Sequence, residues 1–282
     1  MERTERRKTA LTRRGFLSGS GLFLTGALLS GAQRAEGQNP PAPASPAEAN
    51  PTEALASLVW DLVAANRILA DQGVIDGYGH VSVRHPNNPN RYLMGSYMAA
   101  EIVTADDIIE FDLDSNPQDT KGRRMQGERF IHGGVYKARP DVNAVVHFHA
   151  PPLVLMGVLG EPLRPIYHMA GFIGEGVPLF EIRDAAGMTN MLVSNLTLGS
   201  ALAETLGNKP AVLMRGHGAT VVGPTLPHAV GRSVYLTINA ELQLQALGKK
   251  IEFLAPEEAS LADSQNGYPK NWELWKQKAM GK

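Results

Sequence analysis

Two histidines stand two places apart at the end of an apolar run, in the segment AVVHFHAPPL at residues 144–153. The β-branched run before Pro151 and Pro152 predicts a short strand. Because side chains on a strand alternate between its two faces, His147 and His149 should point the same way, with Phe148 opposite. Such a pair could bind a metal ion, or it could be a polar strand end that meets solvent.

A third histidine and a carboxylate favour the metal site. His217 lies between two glycines in MRGHGA, where a turn after a strand could aim it into a cleft. Three imidazoles suffice for a catalytic metal site that keeps positions open for substrate. Glu128 opens the predicted helix directly before the histidine strand, and a helix packed on its own following strand can bring its first turn beside that strand's end. The alternatives are a simple turn histidine and a carboxylate that only stabilises the helix dipole.

Helical and extended patterns alternate around these residues, which predicts a single α/β domain with one central sheet. Thr52 is the expected N-cap of the first helix, Gly73 its terminator, and Pro140 the end of the second helix. The predicted helices cover residues 51–73, 127–141 and 226–250, and the predicted strands fall within 80–85, 91–95, 104–113, 144–149 and 211–223. We find no internal repeat, P-loop or Rossmann glycine pattern.

Composition excludes several classes of function. The chain of 282 residues has 27 basic and 28 acidic residues, so no basic surface argues for nucleic acid or anionic membrane. Cysteine is absent, which excludes disulfides, thiolate nucleophiles and cysteine metal ligands. Any metal must therefore be held by histidine and carboxylate.

The N-terminal segment has the order of an export signal: a basic region, a weakly apolar region and small residues. Arg13 and Arg14, followed by Phe16 and Leu17, resemble a twin-arginine signal, which predicts periplasmic localisation without a stable membrane anchor after cleavage behind Ala32 or Gly37. The predicted organisation is a signal at 1–32, a Pro/Ala-rich linker at 33–51, the folded domain at 52–255 and a C-terminal tail at 256–282.

Four segments together resemble the class II aldolase/adducin family, in order and in approximate spacing. They are GHVSVR (79–84), GERF (127–130), ARPDVNAVVHFHA (138–150) and RGHG (215–218). The resemblance covers residues 52–250 and is most specific from Glu128 through His149. It implies a three-layer α/β/α sandwich with a central mixed, mainly antiparallel sheet.

The same resemblance implies roles for individual residues. His147, His149 and His217 would be the ligands of one divalent metal ion per subunit, and Glu128 the carboxylate that moves protons. The family's active sites lie between neighbouring subunits of a homotetramer. His168 stands where the family's sugar-phosphate aldolases carry a tyrosine proton donor from a neighbouring subunit, so we expect it to be a second catalytic group.

Departures from the aldolase pattern bear on the substrate, which we expect to be a small molecule. The family's aldolases hold phosphate with an asparagine and a pair of serines, where this chain has His80 after Gly79, and Gln126 and Gly127 before Glu128. We therefore do not expect a sugar phosphate. The candidate substrate-binding residues are His80, Ser82, Arg124 and Gln126.

The segments around these positions look most like the family's decarboxylase branch, which acts on hydroxylated aromatic acids or ring-cleavage products. The expected reaction is carbon–carbon lyase chemistry, in which a metal ion stabilises an enolate or carbanion as a Lewis acid. The alternatives are an aldolase or epimerase acting on a hydroxy-carbonyl compound, and a non-catalytic adducin-like binding protein. Three imidazoles suit Zn²⁺ first, and also Mn²⁺, Fe²⁺ or Co²⁺.

Overall fold

A computed structural model describes residues 50–263 and 266–281 of the chain. The predicted signal and all but the last two residues of the predicted linker lie outside the described residues. Within the described ranges, no helix combines the length and the apolar character that crossing a bilayer requires.

The centre of the domain is a sheet whose strands occur in the order β3-β2-β1-β4-β7-β6-β5. Neighbouring strands are antiparallel except β5 and β6, which are parallel. The predicted mixed, mainly antiparallel sheet is confirmed. The strands are β1 (His80–Arg84), β2 (Arg91–Gly95), β3 (Ile108–Asp112), β4 (Ala144–Phe148), β5 (Leu179–Phe180), β6 (Ala211–Met214) and β7 (Gly218–Gly223).

Helices connect and cover these strands. The helices are α1 (Pro51–Asp71), α2 (Arg129–Ala138), α3 (Pro151–Leu159), α4 (Ile182–Ala186), α5 (Leu196–Leu206), α6 (Leu226–Gln245), α7 (Pro256–Asp263) and α8 (Pro269–Ala279). Asn50, and not the expected Thr52, is the N-cap of α1: its side chain accepts a hydrogen bond from the Thr52 backbone N–H at 3.1 Å. Asparagine satisfies this otherwise unpaired donor as well as threonine would.

The two faces of the sheet bury separate apolar cores, which makes the three layers. On β4, Val145 packs with Ile131 of α2 and Leu202 of α5, whereas Val146 packs on the other face with residues of α1, α3 and α6. Successive strand residues point to opposite faces, so a strand buried on both sides is apolar throughout. The predicted α/β/α sandwich is therefore confirmed.

Helices α2 and α5 approach each other through two glycines. A Cβ atom added to Gly134 would lie 2.4 Å from the carbonyl oxygen of Gly199, and one added to Gly199 would lie 2.2 Å from that of Phe130. Any side chain at either position would separate the helices. The contact holds the beginning of α2, and with it Glu128, close to the loop that leads into α5.

The predicted C-terminal tail, 256–282, contains two helices that pack against the rest of the domain. Trp272 and Trp275 of α8 are each 7% exposed and join the core on the α1 side of the sheet. Lys276 of the same helix forms an ion pair with Asp61 of α1 at 2.6 Å. Two tryptophans three residues apart lie on one helix face, and their burial binds α8 to the domain.

Candidate active site

Four side chains meet where β4 ends. His147 is the fourth residue of β4, His149 follows the strand, His217 lies in the turn between β6 and β7, and Glu128 directly precedes α2. Their potential ligand atoms all lie within 4.8 Å of one another. The Nε2 atom of His149 is 3.0 Å from that of His147 and 3.1 Å from that of His217. The structure thus brings together the residues expected to hold a metal ion.

The pairing of β4 with β7 places His217 in this cluster. Ala219 is the register partner of Phe148, so the turn before β7 lies beside the end of β4. A Cβ atom at Gly218 would lie 2.1 Å from the carbonyl oxygen of Phe148, and the φ of Gly218 is +152°. Only glycine allows this approach, which explains the glycine after the histidine in RGHG.

Hydrogen bonding orients the first ligand. The Nδ1–H of His147 donates to the carbonyl oxygen of Ala219 at 3.1 Å, which leaves the lone pair of Nε2 facing His149 and His217. A backbone carbonyl that fixes the tautomer in this way is the usual outer partner of a metal-binding histidine. The Nδ1 atom of His217 is buried and without a hydrogen-bond partner among the described residues.

Glu128 is held from two sides. Its Oε1 accepts the backbone N–H of Val193 at 2.8 Å, and its Oε2 lies 3.6 Å from Nε2 of His147 and 3.4 Å from Nε2 of His217. Glu128 occupies the N-cap position of α2, yet its side chain makes no capping hydrogen bond. Burial alone would raise the pKa of this carboxyl, but the adjacent side chains of His147 and His217 outweigh burial and hold the pKa below its ordinary value.

The donor set fits a divalent cation. Burial first, and then the neighbouring His147 and His217, lower the pKa of His149 to about 4, so this imidazole is neutral at pH 7 and its lone pair is available. Imidazole lone pairs and a carboxylate that point at one place repel each other unless a cation lies between them. Neutral imidazole together with carboxylate is a common ligand set for Zn²⁺ and other first-row divalent metals. The cluster could therefore hold one such ion.

His80 lies beside the cluster, in agreement with its expected place in the site. It is the register partner of His147 on the adjacent strand, and the two ring centroids are 5.2 Å apart. The Nδ1 atom of His80 is 2.7 Å from Nε2 of His132. A substrate-binding role for His80 remains a prediction.

Ser82 occupies a different place from the one expected of a substrate-binding residue. It is 0% exposed, and its hydroxyl lies 2.6 Å from Nδ1 of His132 and 2.8 Å from the hydroxyl of Tyr136. Ser82 shares a strand face with His80, but helix α2 covers it. We therefore assign Ser82 to a buried hydrogen-bond chain and not to contact with substrate.

His132 and Tyr136 also adjoin the site, and the only sequence signal for them is their spacing. Glu128, His132 and Tyr136 follow each other at intervals of four residues. Residues at this spacing share one helix face, and here that face meets β1 and the end of β4. A polar helix face beside a histidine strand is a usable signal for neighbours of an active site.

Gln126, two residues before Glu128, lies at a cleft of about 220 Å³, and Arg124 lies against Tyr97 in its wall. Gln126 lines this cleft with Gly77, Tyr78, Tyr97, Met98 and Ala99, and its Nε2 donates to the carbonyl oxygen of Ser96 at 2.9 Å. Arg124 is exposed, and its guanidinium lies 4.1 Å from the ring centroid of Tyr97. The cleft thus has aromatic walls and a cation at its edge.

His168 is not among the residues of the cluster. It is exposed at the beginning of a 3₁₀ segment, His168–Ile173, with its ring against that of Tyr167. The structure holds one copy of the chain, so a role of His168 in a neighbouring subunit remains a prediction.

Comparison with known proteins identifies a family and several relatives. The profile of a family described as "Class II Aldolase and Adducin N-terminal domain" matches residues 60–244. The protein named Decarboxylase tropJ, from Talaromyces stipitatus, is 32% identical over 240 residues, which is 76% of this chain and 90% of that protein. A 3,4-dihydroxyphthalate decarboxylase from Arthrobacter keyseri is 32% identical over 196 residues, which is 65% of this chain and 76% of that protein.

A solved structure has the same fold. The L-fuculose 1-phosphate aldolase from Glaciozyma antarctica superimposes with a TM-score of 0.67 at 25% sequence identity, over 83% of this chain and 91% of that one. The arrangement of strands and helices is therefore shared with a known enzyme.

Proposed function

Because the chain belongs to the class II aldolase and adducin family and is a lyase, we propose that it decarboxylates a hydroxylated aromatic acid or a related ring-cleavage product. The observation that carries this proposal is the 32% identity, over most of the domain, to proteins named decarboxylases. The cleft at Gln126 supports it. Tyr78 and Tyr97 could pack against an aromatic ring, and Arg124 could pair with a carboxylate.

The proposed reaction assigns a task to each part of the site. A divalent metal ion held by the three histidines would act as a Lewis acid towards adjacent substrate oxygens. The bond between the ring carbon and the carboxylate carbon breaks, its electron pair stays on the ring carbon, and CO₂ leaves. Glu128, anchored by the Val193 N–H, has its second oxygen directed at the cluster and is placed to move the proton that this carbon then takes up.

A substrate panel tests the proposed function. The purified protein is analysed for bound metal and then assayed with ortho-hydroxy aromatic acids, including 3,4-dihydroxyphthalate, with β-keto acids and with L-fuculose 1-phosphate. We expect CO₂ release from an aromatic acid that carries a neighbouring hydroxyl. Benzoate, which has no such hydroxyl, is the matched control and should not react. Aldehyde release from the sugar phosphate, without CO₂ from any acid, would replace the proposal by the aldolase alternative.

The proposed cofactor is one divalent metal ion per subunit, with Zn²⁺ as the first candidate. Elemental analysis of the protein identifies the ion. If the protein contains about one equivalent of Mn²⁺, Fe²⁺ or Co²⁺ instead, the proposed metal is wrong but the proposed ligands are unaffected.

We further propose that the chain forms a homotetramer in which His168 serves the active site of a neighbouring subunit. His168 is exposed and is not one of the four clustered residues of its own chain, which supports this. If His168→Ala and Glu128→Gln proteins are both inactive, oligomers reassembled from a mixture should regain part of the activity, because some sites then combine both intact residues. Mixtures that stay inactive, or a monomer in native mass spectrometry, would contradict the proposal.

We propose export by the twin-arginine pathway, which rests on Arg13 and Arg14. Replacing both residues by lysine should retain the precursor in the cytoplasm, because the paired arginines are the part of the signal that the receptor recognises. Fractionation of cells that express either form measures this. Unchanged export of the lysine variant would show that the segment is not a twin-arginine signal.

A further inference from the structure

A chain of buried hydrogen bonds leads from the interior to the edge of the candidate active site. The Tyr136 hydroxyl is 2.8 Å from Oγ of Ser82, and this Oγ is 2.6 Å from Nδ1 of His132. Nε2 of His132 is in turn 2.7 Å from Nδ1 of His80. Ser82, His132 and Tyr136 are at most 1% exposed, so each hydrogen on this chain needs a partner within the protein.

The number of hydrogens available fixes the direction of donation along these hydrogen bonds. Burial raises the pKa of Tyr136, which keeps it a phenol with one hydrogen to donate. Oγ of Ser82 is the only acceptor that we find for this hydroxyl in the described ranges, because its contact with the Val145 backbone lowers the pKa of Tyr136 and is therefore a contact with the donor N–H. The opposite direction would leave a buried O–H without an acceptor, which costs about 1–3 kcal/mol. Tyr136 therefore donates to Ser82, and the single hydrogen of Ser82 is left for Nδ1 of His132.

The same direction of hydrogen-bond donation continues from His132 to His80. Burial first, and then His147, lower the pKa of His132 to about 3, so its ring is neutral and carries one proton. Since Nδ1 of His132 accepts from Ser82, the proton is on Nε2, which donates to Nδ1 of His80. A neutral His80 whose Nδ1 accepts must carry its own proton on Nε2. That nitrogen has no hydrogen-bond partner among the described residues, and the ring lies against that of His147.

We propose that His132 is a positioning residue: through it, the Ser82 hydroxyl fixes His80 as the Nε2–H tautomer, which donates a hydrogen bond to an anionic oxygen of the substrate beside the three-histidine cluster. The identity of that oxygen, a phenolate or enolate, rests on the proposed function, whereas the tautomer does not. A fixed donor stabilises negative charge as it develops on this oxygen, and the other tautomer would present a lone pair and repel it.

The tautomer can be measured directly. In the zinc-loaded protein with ¹⁵N-labelled histidine, long-range ¹H–¹⁵N correlation shows which ring nitrogen carries hydrogen, and the His80 signals are those lost in His80→Gln. We expect hydrogen on Nε2 of both His80 and His132. Ser82→Ala removes the donor to Nδ1 of His132, so hydrogen can then occupy either nitrogen of His132, and a large fraction of His80 should change to the Nδ1–H form. Tyr136→Phe should keep the Nε2–H form, because Nδ1 of His132 is then the only side-chain acceptor left for the Ser82 hydroxyl among the described residues.

Ser115→Ala is the matched control. The Ser115 side chain is equally buried and its hydroxyl is also bonded to a tyrosine, that of Tyr92, at 3.0 Å, but it is not part of the hydrogen-bond chain. Its loss should destabilise the protein to a similar extent and leave the tautomer of His80 unchanged. A role of Ser82 in stability alone would make the two variants behave alike.

Binding of catechol, which presents adjacent phenolic oxygens to a metal, tests donation to the substrate oxygen. We expect the Kd of catechol to rise about 10- to 100-fold in Ser82→Ala, the value of a hydrogen bond to a charged group, and to stay unchanged in Ser115→Ala. An Nδ1–H form of His80 in the unaltered protein, or one tautomer in both alanine variants, would overturn the inference. Unchanged catechol affinity in Ser82→Ala would overturn the donation. If the tautomer and catechol results are as expected but the substrate panel shows no decarboxylation, the proposed function is wrong and the inference about His80 stands.

Discussion

Replacing His147 by alanine is expected to remove the bound metal and all measurable activity while the fold persists. His147 supplies one of three converging Nε2 atoms, and its Nδ1 is fixed by the carbonyl oxygen of Ala219 at 3.1 Å. Loss of an outer hydrogen-bond partner alone costs about 10- to 100-fold in metal affinity or activity, and loss of the ligand itself should cost more. Elemental analysis after dialysis should fall from about one equivalent to near zero, with an unchanged far-ultraviolet circular dichroism spectrum.

His85→Ala is the control for this prediction. His85 is a histidine at the end of β1 whose Nδ1 accepts a hydrogen bond from the Asn87 backbone N–H, away from the cluster. It should keep its metal and its activity. Because His147 is fully buried and its loss leaves a cavity, His217→Ala, in the turn before β7, repeats the test. Either ligand variant with a full equivalent of metal would contradict the ligand assignment.

Replacing Glu128 by glutamine is expected to lower kcat by about 10²–10⁴-fold without loss of metal, the usual range for a general acid or base. Glutamine keeps the shape of the side chain, and its oxygen can still accept the Val193 N–H, which is 2.8 Å from Oε1 in the structure. It cannot carry a proton to or from carbon at neutral pH. Steady-state kinetics with the acid identified in the panel, together with metal analysis, give the result.

Glu53→Gln separates a helix-dipole effect from a catalytic one. Glu53 is an exposed acidic residue in the first turn of α1, so its change should cost about 0.3–1 kcal/mol of stability at most and leave kcat unaltered. If Glu128→Gln behaves in the same way, with full metal occupancy, the catalytic role is refuted. Loss of the metal in Glu128→Gln would instead make Glu128 a fourth ligand.

The regular elements near the site could be predicted because their signals are local. Period-two and β-branched patterns indicated β1, β2 and β4, and they occur at His80–Arg84, Arg91–Gly95 and Ala144–Phe148. Helix α3 was missed because Pro151 and Pro152 were interpreted only as the end of a strand. They are the first residues of α3, a position where proline lacks no needed donor and its fixed φ suits the helix.

Ser82 shows where periodicity stops being informative. Its spacing from His80 places both side chains on one strand face, which is correct. Whether a position on that face meets substrate or a covering helix depends on how α2 crosses the strand, and that crossing depends on contacts with α5 far along the chain. Pattern alone could not distinguish the exposed end of the strand from its covered middle.

The chemistry available to this protein follows from its amino-acid sequence: imidazole and carboxylate without thiol, two histidines on one strand face, and a glycine that allows the turn at His217. Where these groups meet follows from the packing of the fold. The β4–β7 register sets His217 against His149, and the approach of α2 to α5 directs Glu128 at the cluster. The packing of α2 on β1 joins His132 to Ser82. The reason is that spacing along a strand or helix fixes direction over a few residues, whereas the meeting of distant segments depends on packing over the whole sheet.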